Sequence, residues 1–243
     1  MNSKMISVNA TWEKRNLGVD TIETTFEEND EYQTVELYLC KLKTEYSVLR
    51  IPSYRTDLLP IVQKMGYTYI EDMIYAMNYL NEIPRTSSQE RLYKAIEVDT
   101  MNEKDFEILY QEINKGIFDS DRIYTDPYFN HDIAKKRYIN WILDELKTGT
   151  EFLKYIYKND TIGFFALKEL ENGCYTSFLG GIYKEYRKGG IGSVIKVPEE
   201  VKKRGGKKVS SNVSSNNIMQ VKSLIMNGYR PESITHTFIK HFN

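Results

Sequence analysis

The run Tyr186-Arg187-Lys188-Gly189-Gly190-Ile191-Gly192-Ser193 is the part of the sequence best equipped to hold an anion. Its glycines let the backbone turn tightly, so successive N–H groups can converge on one ligand. Arg187 and Lys188 add positive charge. A strand is expected before the run and a helix directly after it, and the first turn of a helix supplies further unpaired donors. A diphosphate suits that arrangement. Two well-known phosphate loops fit poorly. The ATP-binding loop needs Lys and then Ser or Thr after its last glycine, whereas here the lysine comes first. A dinucleotide loop opens an early β-α-β unit, and this run follows several strands. A glycine-rich turn that merely exposes charged residues is the plain alternative.

Around that loop the apolar pattern alternates between strands and helices. A break is expected from Asn81 to Gln89, a polar run with a proline and no periodicity. It separates a small N-terminal α/β domain, residues 1–82, from a larger domain, residues 90–243. Before the break, Val35–Tyr38, Tyr46–Ile51 and Tyr67–Met77 read as strands, and Leu58–Met65 as a helix closed by Gly66. After it, Leu92–Val98 reads as a strand. Thr100 and Glu103 have the spacing of a capping box, for a helix that Gly116 stops. Ile133–Leu146 is a second helix. Phe152–Tyr157 and Thr161–Leu170 form a hairpin turned at Asn159-Asp160, and Cys174–Tyr183 is a further strand. The glycine loop, a helix to Lys203, a strand Lys208–Val213, a helix Ile218–Asn227 and a strand Ile234–Lys240 complete the order. A weak repeat is visible. Val48 and Val209 each open a strand and helix that end at Gly66-Tyr67 and Gly228-Tyr229, eighteen and nineteen residues on.

Arg187-x-x-Gly190-x-Gly192, then a helix, a strand, Asn217 and an apolar helix ending in Gly228-Tyr229, resembles the GNAT (GCN5-related) superfamily of acyl-CoA-dependent N-acetyltransferases. The resemblance implies an α/β fold with a mixed central sheet flanked by helices, and an N-terminal domain resembling a partial unit of the same fold. It implies acetyl-CoA as co-substrate, with Arg187, Lys188, Gly189, Gly190, Ile191, Gly192 and Ser193 around the pyrophosphate. A bulge near Gly180-Gly181 would let Ile182 and Tyr183 pair with the pantetheine arm through their backbone, and Asn217 would lie beside it. One of these N–H groups would polarise the thioester carbonyl. Within the superfamily, Trp12-Glu13 with Leu17-Gly18-Val19, the segment Asp121–Tyr128 with Tyr138 and Trp141-Ile142, and Pro231-Glu232-Ser233 resemble the WecD-type enzymes. Those acetylate a nucleotide-linked 4-amino-4,6-dideoxyhexose for cell-envelope polysaccharide.

One position departs from the pattern. Many members place a proton-donating Tyr seven residues after the Asn matched by Asn217, and here that residue is Leu224. Three explanations stand open. Thiolate leaves without strong acid help, since its pKa is about 8.5. A nearby hydroxyl, from Tyr183 or Ser223, replaces the phenol. Or only acyl-CoA binding is retained. The base is sought between Arg122 and Asp132. Tyr128 is a catalytic candidate there, and Arg122, Tyr124, Asp126, Tyr128 and Glu232 are substrate-binding candidates. Asp126-Pro127 is also an ordinary turn initiator.

Composition narrows the alternatives. The 33 basic and 34 acidic residues balance, removing the global signal of a nucleic-acid binder. No apolar run approaches the ~20 residues of a membrane helix. The opening Met1–Ile6 leads into no hydrophobic region, so a cytoplasmic protein without a secretion leader is expected. Cys40 and Cys174 match no metal-ligand pair, and of three His two fall in the last eight residues, so no metal is expected. A homodimer is a fair expectation from symmetry statistics. The competing functions are acylation of another small amine, use of another acyl-CoA, or non-catalytic acyl-CoA binding.

Overall fold

The computed structural model describes residues 5–242. Residues 1–4, on which the expected absence of a leader partly rests, lie outside the described residues. In chain order the elements are β1 (Ile6–Asn9), α1 (Thr11–Leu17), β2 (Thr21–Thr25), α2 (Tyr32–Lys41), β3 (Tyr46–Pro52), α3 (Leu59–Lys64) and β4 (Thr68–Asn78). Then come α4 (Ser87–Ala95), β5 (Ile96–Thr100), α5 (Glu103–Asn114), α6 (Arg122–Thr125), α7 (His131–Lys147), β6 (Glu151–Tyr157) and β7 (Asp160–Glu169). The rest is β8 (Cys174–Thr176), β9 (Gly180–Ile182), α8 (Val197–Lys203), β10 (Lys208–Ser214), α9 (Ile218–Met226) and β11 (Arg230–His241).

Several elements differ from the expectation, each for a physical reason. Val35–Tyr38 is helical, inside α2. Its buried positions Val35 and Leu39 are four apart, a spacing that a four-residue window cannot tell from strand alternation. Leu92–Ala95 closes α4, whose capping box, Thr86 with Gln89, lies inside the stretch read as linker. The cap of α5 is Asn102 with Asp105; Thr100 is instead engaged in the β5–β6 ladder. The hairpin turns one residue early, with Lys158 and Asn159 at positive φ.

The strands form one sheet in the order β1-β2-β3-β11-β4-β10-β8-β7-β6-β5, with β9 paired to β7. The C-terminal strand β11 therefore lies between two strands of the N-terminal half, antiparallel to both. This placement gives the repeat a geometric meaning. Exchanging β3 with β10 and β4 with β11 maps β3-β11-β4-β10 onto itself. The outer neighbours correspond too, since β2 is parallel to β3 and β8 is parallel to β10. Gly66 and Gly228 end the equivalent helices at φ +79° and +83°, where a side chain would be strained. The copies differ in one respect. β2 and β3 pair without interruption from Thr21–Tyr46 to Thr25–Arg50. The loop after β2 is filled by the Arg55 guanidinium, which donates to the carbonyls of Glu27, Glu28 and Asp30. Only the C-terminal copy opens.

Candidate active site

The opening follows from how β8 and β9 divide what was read as one strand. β8 pairs with β10 only from Cys174–Lys208 to Thr176–Ser210, with a last bond from the Ser177 N–H to the Ser210 carbonyl at 2.9 Å. Beyond it β9 pairs with β7 alone. Ser211 to Ser214 of β10 thus keep β4 on one side and face a groove on the other. They line a cavity of about 880 Å³ together with Gly180, Gly181 and Ile182. The Leu179 carbonyl and the Tyr183 N–H bond towards β7, to Ala166 and Ile162. Backbone groups alternate along a strand, so those of Gly180 and Ile182 face the groove. This corrects the expectation for Tyr183, whose N–H is occupied at 2.8 Å by the Ile162 carbonyl. Its side chain is buried in the core with Leu109, Ile113 and Phe164, where burial pushes the phenol pKa up. It is no donor to the groove.

The glycine loop borders the same cavity through Arg187, Gly190, Gly192 and Ser193. Gly190 has φ +70°, and a Cβ on Gly190 or Gly192 would meet no atom within 4 Å, so both backbones lie open to a ligand. The expected helix does not start there. Lys184–Gly189 and Ile191–Ser193 are 3-10 turns, and α8 begins at Val197, with Pro198 in its first turn. Two glycines and extended Val194 disfavour an earlier start, and Pro is tolerated only at the beginning of a helix. The loop therefore offers backbone rather than the end of a helix dipole. Arg187 braces it from within. Its guanidinium donates to the Ile117 carbonyl at 2.6 Å and to the Ile182 carbonyl at 3.2 Å. Lys188 is not on the cavity wall, and Ile191 is buried in the core. Ser223 lines the cavity, but its hydroxyl donates to the Gly192 carbonyl at 2.5 Å and so ties α9 to the loop. Asn217 is on the wall and caps α9, accepting from the Gln220 N–H. Leu224 is also on the wall, and buried.

The far end of the cavity is polar and draws on both halves of the chain. Arg50 of β3, Glu71 of β4, Asp121, Arg122 of α6 and Arg137 of α7 line it. Arg122 donates through one nitrogen to Glu13 at 2.9 Å and to Glu23 at 2.6 Å. Arg137 clasps Glu13 and reaches Asp121 at 3.5 Å. Against the upward pull of burial, Arg122 and Arg50 hold the Glu23 carboxyl down to about 2. Arg137 and Arg122 likewise keep Glu13 low. Glu71 goes the other way. Burial raises its pKa, and its Oε2 has no partner. An aromatic face lines the same cavity, with Phe118 stacked on Tyr138 at 4.3 Å beside Trp141 and Phe178.

Of the substrate candidates named from sequence, only Arg122 reaches this cavity. Tyr124 stacks on His131 at 4.0 Å. Asp126 is buried, bonded to His241 at 2.8 Å and to the Tyr128 N–H. Tyr128 stacks on His241 with 62% of its surface exposed, so its phenol is not the catalytic group expected. Glu232 bonds to Tyr79 beside a separate, shallow hollow. Sequence reading missed Glu71 and Arg50. Their signal was a charged residue inside a run otherwise read as a strand. Among the described residues, no group of three or more His, Cys, Asp or Glu could hold a metal ion, and no helix is long and apolar enough to cross a membrane.

No protein-family model matches the chain, and no curated protein matches it by sequence. Solved structures do match its fold. A GCN5-related N-acetyltransferase from Sphaerobacter thermophilus superposes with a TM-score of 0.62 at 12% identity, covering 98% of this chain and 76% of that one. The chain has the GNAT acetyltransferase fold. A functionally unknown conserved protein from Staphylococcus epidermidis shares this GNAT fold with a TM-score of 0.59 at 10% identity, covering 92% and 85%. A tandem GNAT protein from the clavulanic acid biosynthesis pathway matches with a TM-score of 0.53 at 10% identity, covering 91% and 75%. The mixed sheet flanked by helices that the sequence led one to expect is therefore present. Acetyl-CoA, the co-substrate implied by the GNAT fold, fits the residues present. The groove offers the unpaired strand edges of β9 and β10, and at its end an open backbone cradle at Gly190 and Gly192.

Proposed function

We propose that this chain is an acetyl-CoA-dependent N-acetyltransferase acting on a small-molecule amine, with Glu71 as the base. The observation that carries the reading is the continuity of one cavity. It joins a groove with free strand edges to a buried carboxylate, Glu71, one of whose oxygens has no hydrogen-bond partner. Acetyl-CoA, when bound, supplies the thioester carbonyl that the amine attacks. The groove-facing N–H of Gly180 or Ile182 stabilises the charge that develops on the carbonyl oxygen. Glu71 takes the proton from the amine as the N–C bond forms and the C–S bond breaks. Holding both substrates in one cavity supplies several kcal/mol of the barrier reduction. Leu224 donates no proton, so the sulfur leaves as thiolate and is protonated by solvent.

For the acceptor we propose a nucleotide-linked 4-amino-4,6-dideoxyhexose of cell-envelope polysaccharide synthesis. Support comes from the sequence segments quoted above and from the open Arg122 Nη1 at the acceptor end, a donor that suits a phosphate oxygen. The test is thiol release from acetyl-CoA, with and without a panel of TDP- and UDP-linked 4-amino sugars. Release that requires one amino sugar, with a product heavier by one acetyl group, is expected. Leu224 favours one other reading, an acyl-CoA-binding module without turnover. Tight acetyl-CoA binding with no amine-dependent release across a wide range of amines would establish that reading instead.

A further inference from the structure

Among the described residues, several buried side-chain polar atoms lack a hydrogen-bond partner. Four of them lie close together: Glu71 Oε2 and Arg122 Nη1 on residues that line the cavity, and Tyr46 Oη and Thr237 Oγ1 on fully buried residues off its wall. Their proximity is set by the sheet. Thr237 of β11 is in register with Arg50 of β3 on one side and with Glu71 of β4 on the other. Arg122 lies over this row and acts on the charges of both Glu71 and Tyr46. Buried donors and acceptors are almost always satisfied, so the two unmet atoms on residues of the cavity wall, Glu71 Oε2 and Arg122 Nη1, mark a place that polar groups entering the cavity would satisfy.

The charges say which groups. Arg50, Arg122 and Arg137 are balanced by Glu13, Glu23 and Asp121, while Asp119 on the same wall is exposed. Glu71, when ionised, adds one negative charge beyond those three pairs, and its Oε2 accepts no hydrogen bond from the protein. On Arg122 both carboxylates share one nitrogen, Nη2, and the other nitrogen of the fork stays open. A purely cationic amine would answer Glu71 and leave Arg122 Nη1 unmet. A molecule that carries an anion close to its amine answers both. We infer that the acceptor is an amine bearing a nearby carboxylate or phosphate, the anion docked on Arg122 Nη1 where Thr237 lies between Arg50 and Glu71, and the amine presented to Glu71. This rests on the acyltransfer reading and narrows its substrate class. A site built to bond a polar group discriminates strongly against analogues lacking it.

The test compares matched amines on the intact protein, by amine-dependent thiol release and by calorimetric binding. The pairs are alanine with alaninamide, 2-aminoethyl phosphate with ethanolamine, and a TDP-linked 4-amino sugar with the free 4-amino sugar. At least one anionic member is expected to exceed its neutral partner by about 10²-fold in kcat/KM, and the pair that does so tells carboxylate from phosphate. Arg122→Lys should abolish that preference. Because it disturbs the ion pairs to Glu13 and Glu23, Thr237→Val is the companion variant. It removes an unmet hydroxyl at constant shape, so it should fold normally, raise KM for the anionic amine and leave KM for its neutral partner unmoved. Equal turnover of anionic and neutral members would overturn the inference and leave acyltransfer standing. Absence of turnover, with calorimetry still favouring the anionic members, would overturn acyltransfer and leave the anion site standing. Absence of both turnover and preferential binding would overturn both.

Discussion

A buried carboxylate with one oxygen left without a partner, as in Glu71, is an unusual residue to keep unless it handles a proton. Glu71→Gln is expected to lower kcat by about 10²–10⁴-fold with little change in acetyl-CoA affinity, because the groove lies apart from it. Burial raises the Glu71 pKa above the ordinary 4.5, and a base works only when deprotonated. The pH profile of kcat/KM should therefore rise through a pKa above the usual carboxylate range, and the Gln variant should lose that limb. A profile unchanged in Glu71→Gln would assign the base elsewhere. The residues of the glycine loop were legible in the sequence because their chemistry is contained in one short spacing. Glu71, Arg50 and Thr237 were not, since they meet only through pairing between strands far apart in the chain. Tyr124, Asp126 and Tyr128 misled for the opposite reason. They form a locally rich polar run, but the fold commits them to His131 and His241.

The groove depends on β9 following β7 instead of β10, and Gly163 makes that possible. A Cβ at Gly163 would stand 2.4 Å from the Gly181 carbonyl oxygen and 3.0 Å from Ile182 Cα. Gly163→Ala should therefore cost about 1–3 kcal/mol and weaken acetyl-CoA binding, as read by thermal melting and calorimetry. A variant that melts and binds like the parent would show that β9 is not held this tightly. Ser223→Ala tests the other wall. Losing its bond to the Gly192 carbonyl should cost about 1 kcal/mol and loosen the loop, again at the expense of acetyl-CoA affinity. The central strands of the larger half could be read from near-continuous apolar runs, because β6 and β7 bury side chains on both faces of the sheet. The helices α2 and α4 escaped for local reasons. The first shows only two buried positions, and the second starts inside a polar run that reads as a linker. The division of β8 from β9 follows from how the neighbouring strands pair, which no local pattern records.

The two halves are joined by charge as well as by strands. Glu13 and Glu23 belong to the N-terminal half, and Arg122 binds both. The Glu23 carboxyl is held at about 2 against an ordinary 4.5, so its contribution to stability is full above 4.5 and is lost as pH falls towards 2. Glu13 acts in the same sense. Glu71, raised by burial, acts in the opposite sense, and its contribution declines as pH rises through its own pKa. Melting temperature should therefore fall steeply on acidification below about 4.5, and Glu23→Gln should flatten that slope. A parent-like slope in Glu23→Gln would remove this pair as the link.

The placement of β11 also bears on how the molecule is made. Every other strand leaves the ribosome before it, including β3 and β4, between which it must finally lie. Until then both strands present bare edges, and β4 has only β10 to hold it. Cotranslational completion of the N-terminal half is thereby ruled out, and the contacts that finish the sheet span most of the chain. High contact order of this kind slows folding and prolongs the exposure of sticky edges. Slow completion of the sheet is the cost of a cavity whose wall residues Arg50 of β3 and Glu71 of β4 lie on opposite sides of an interleaved strand.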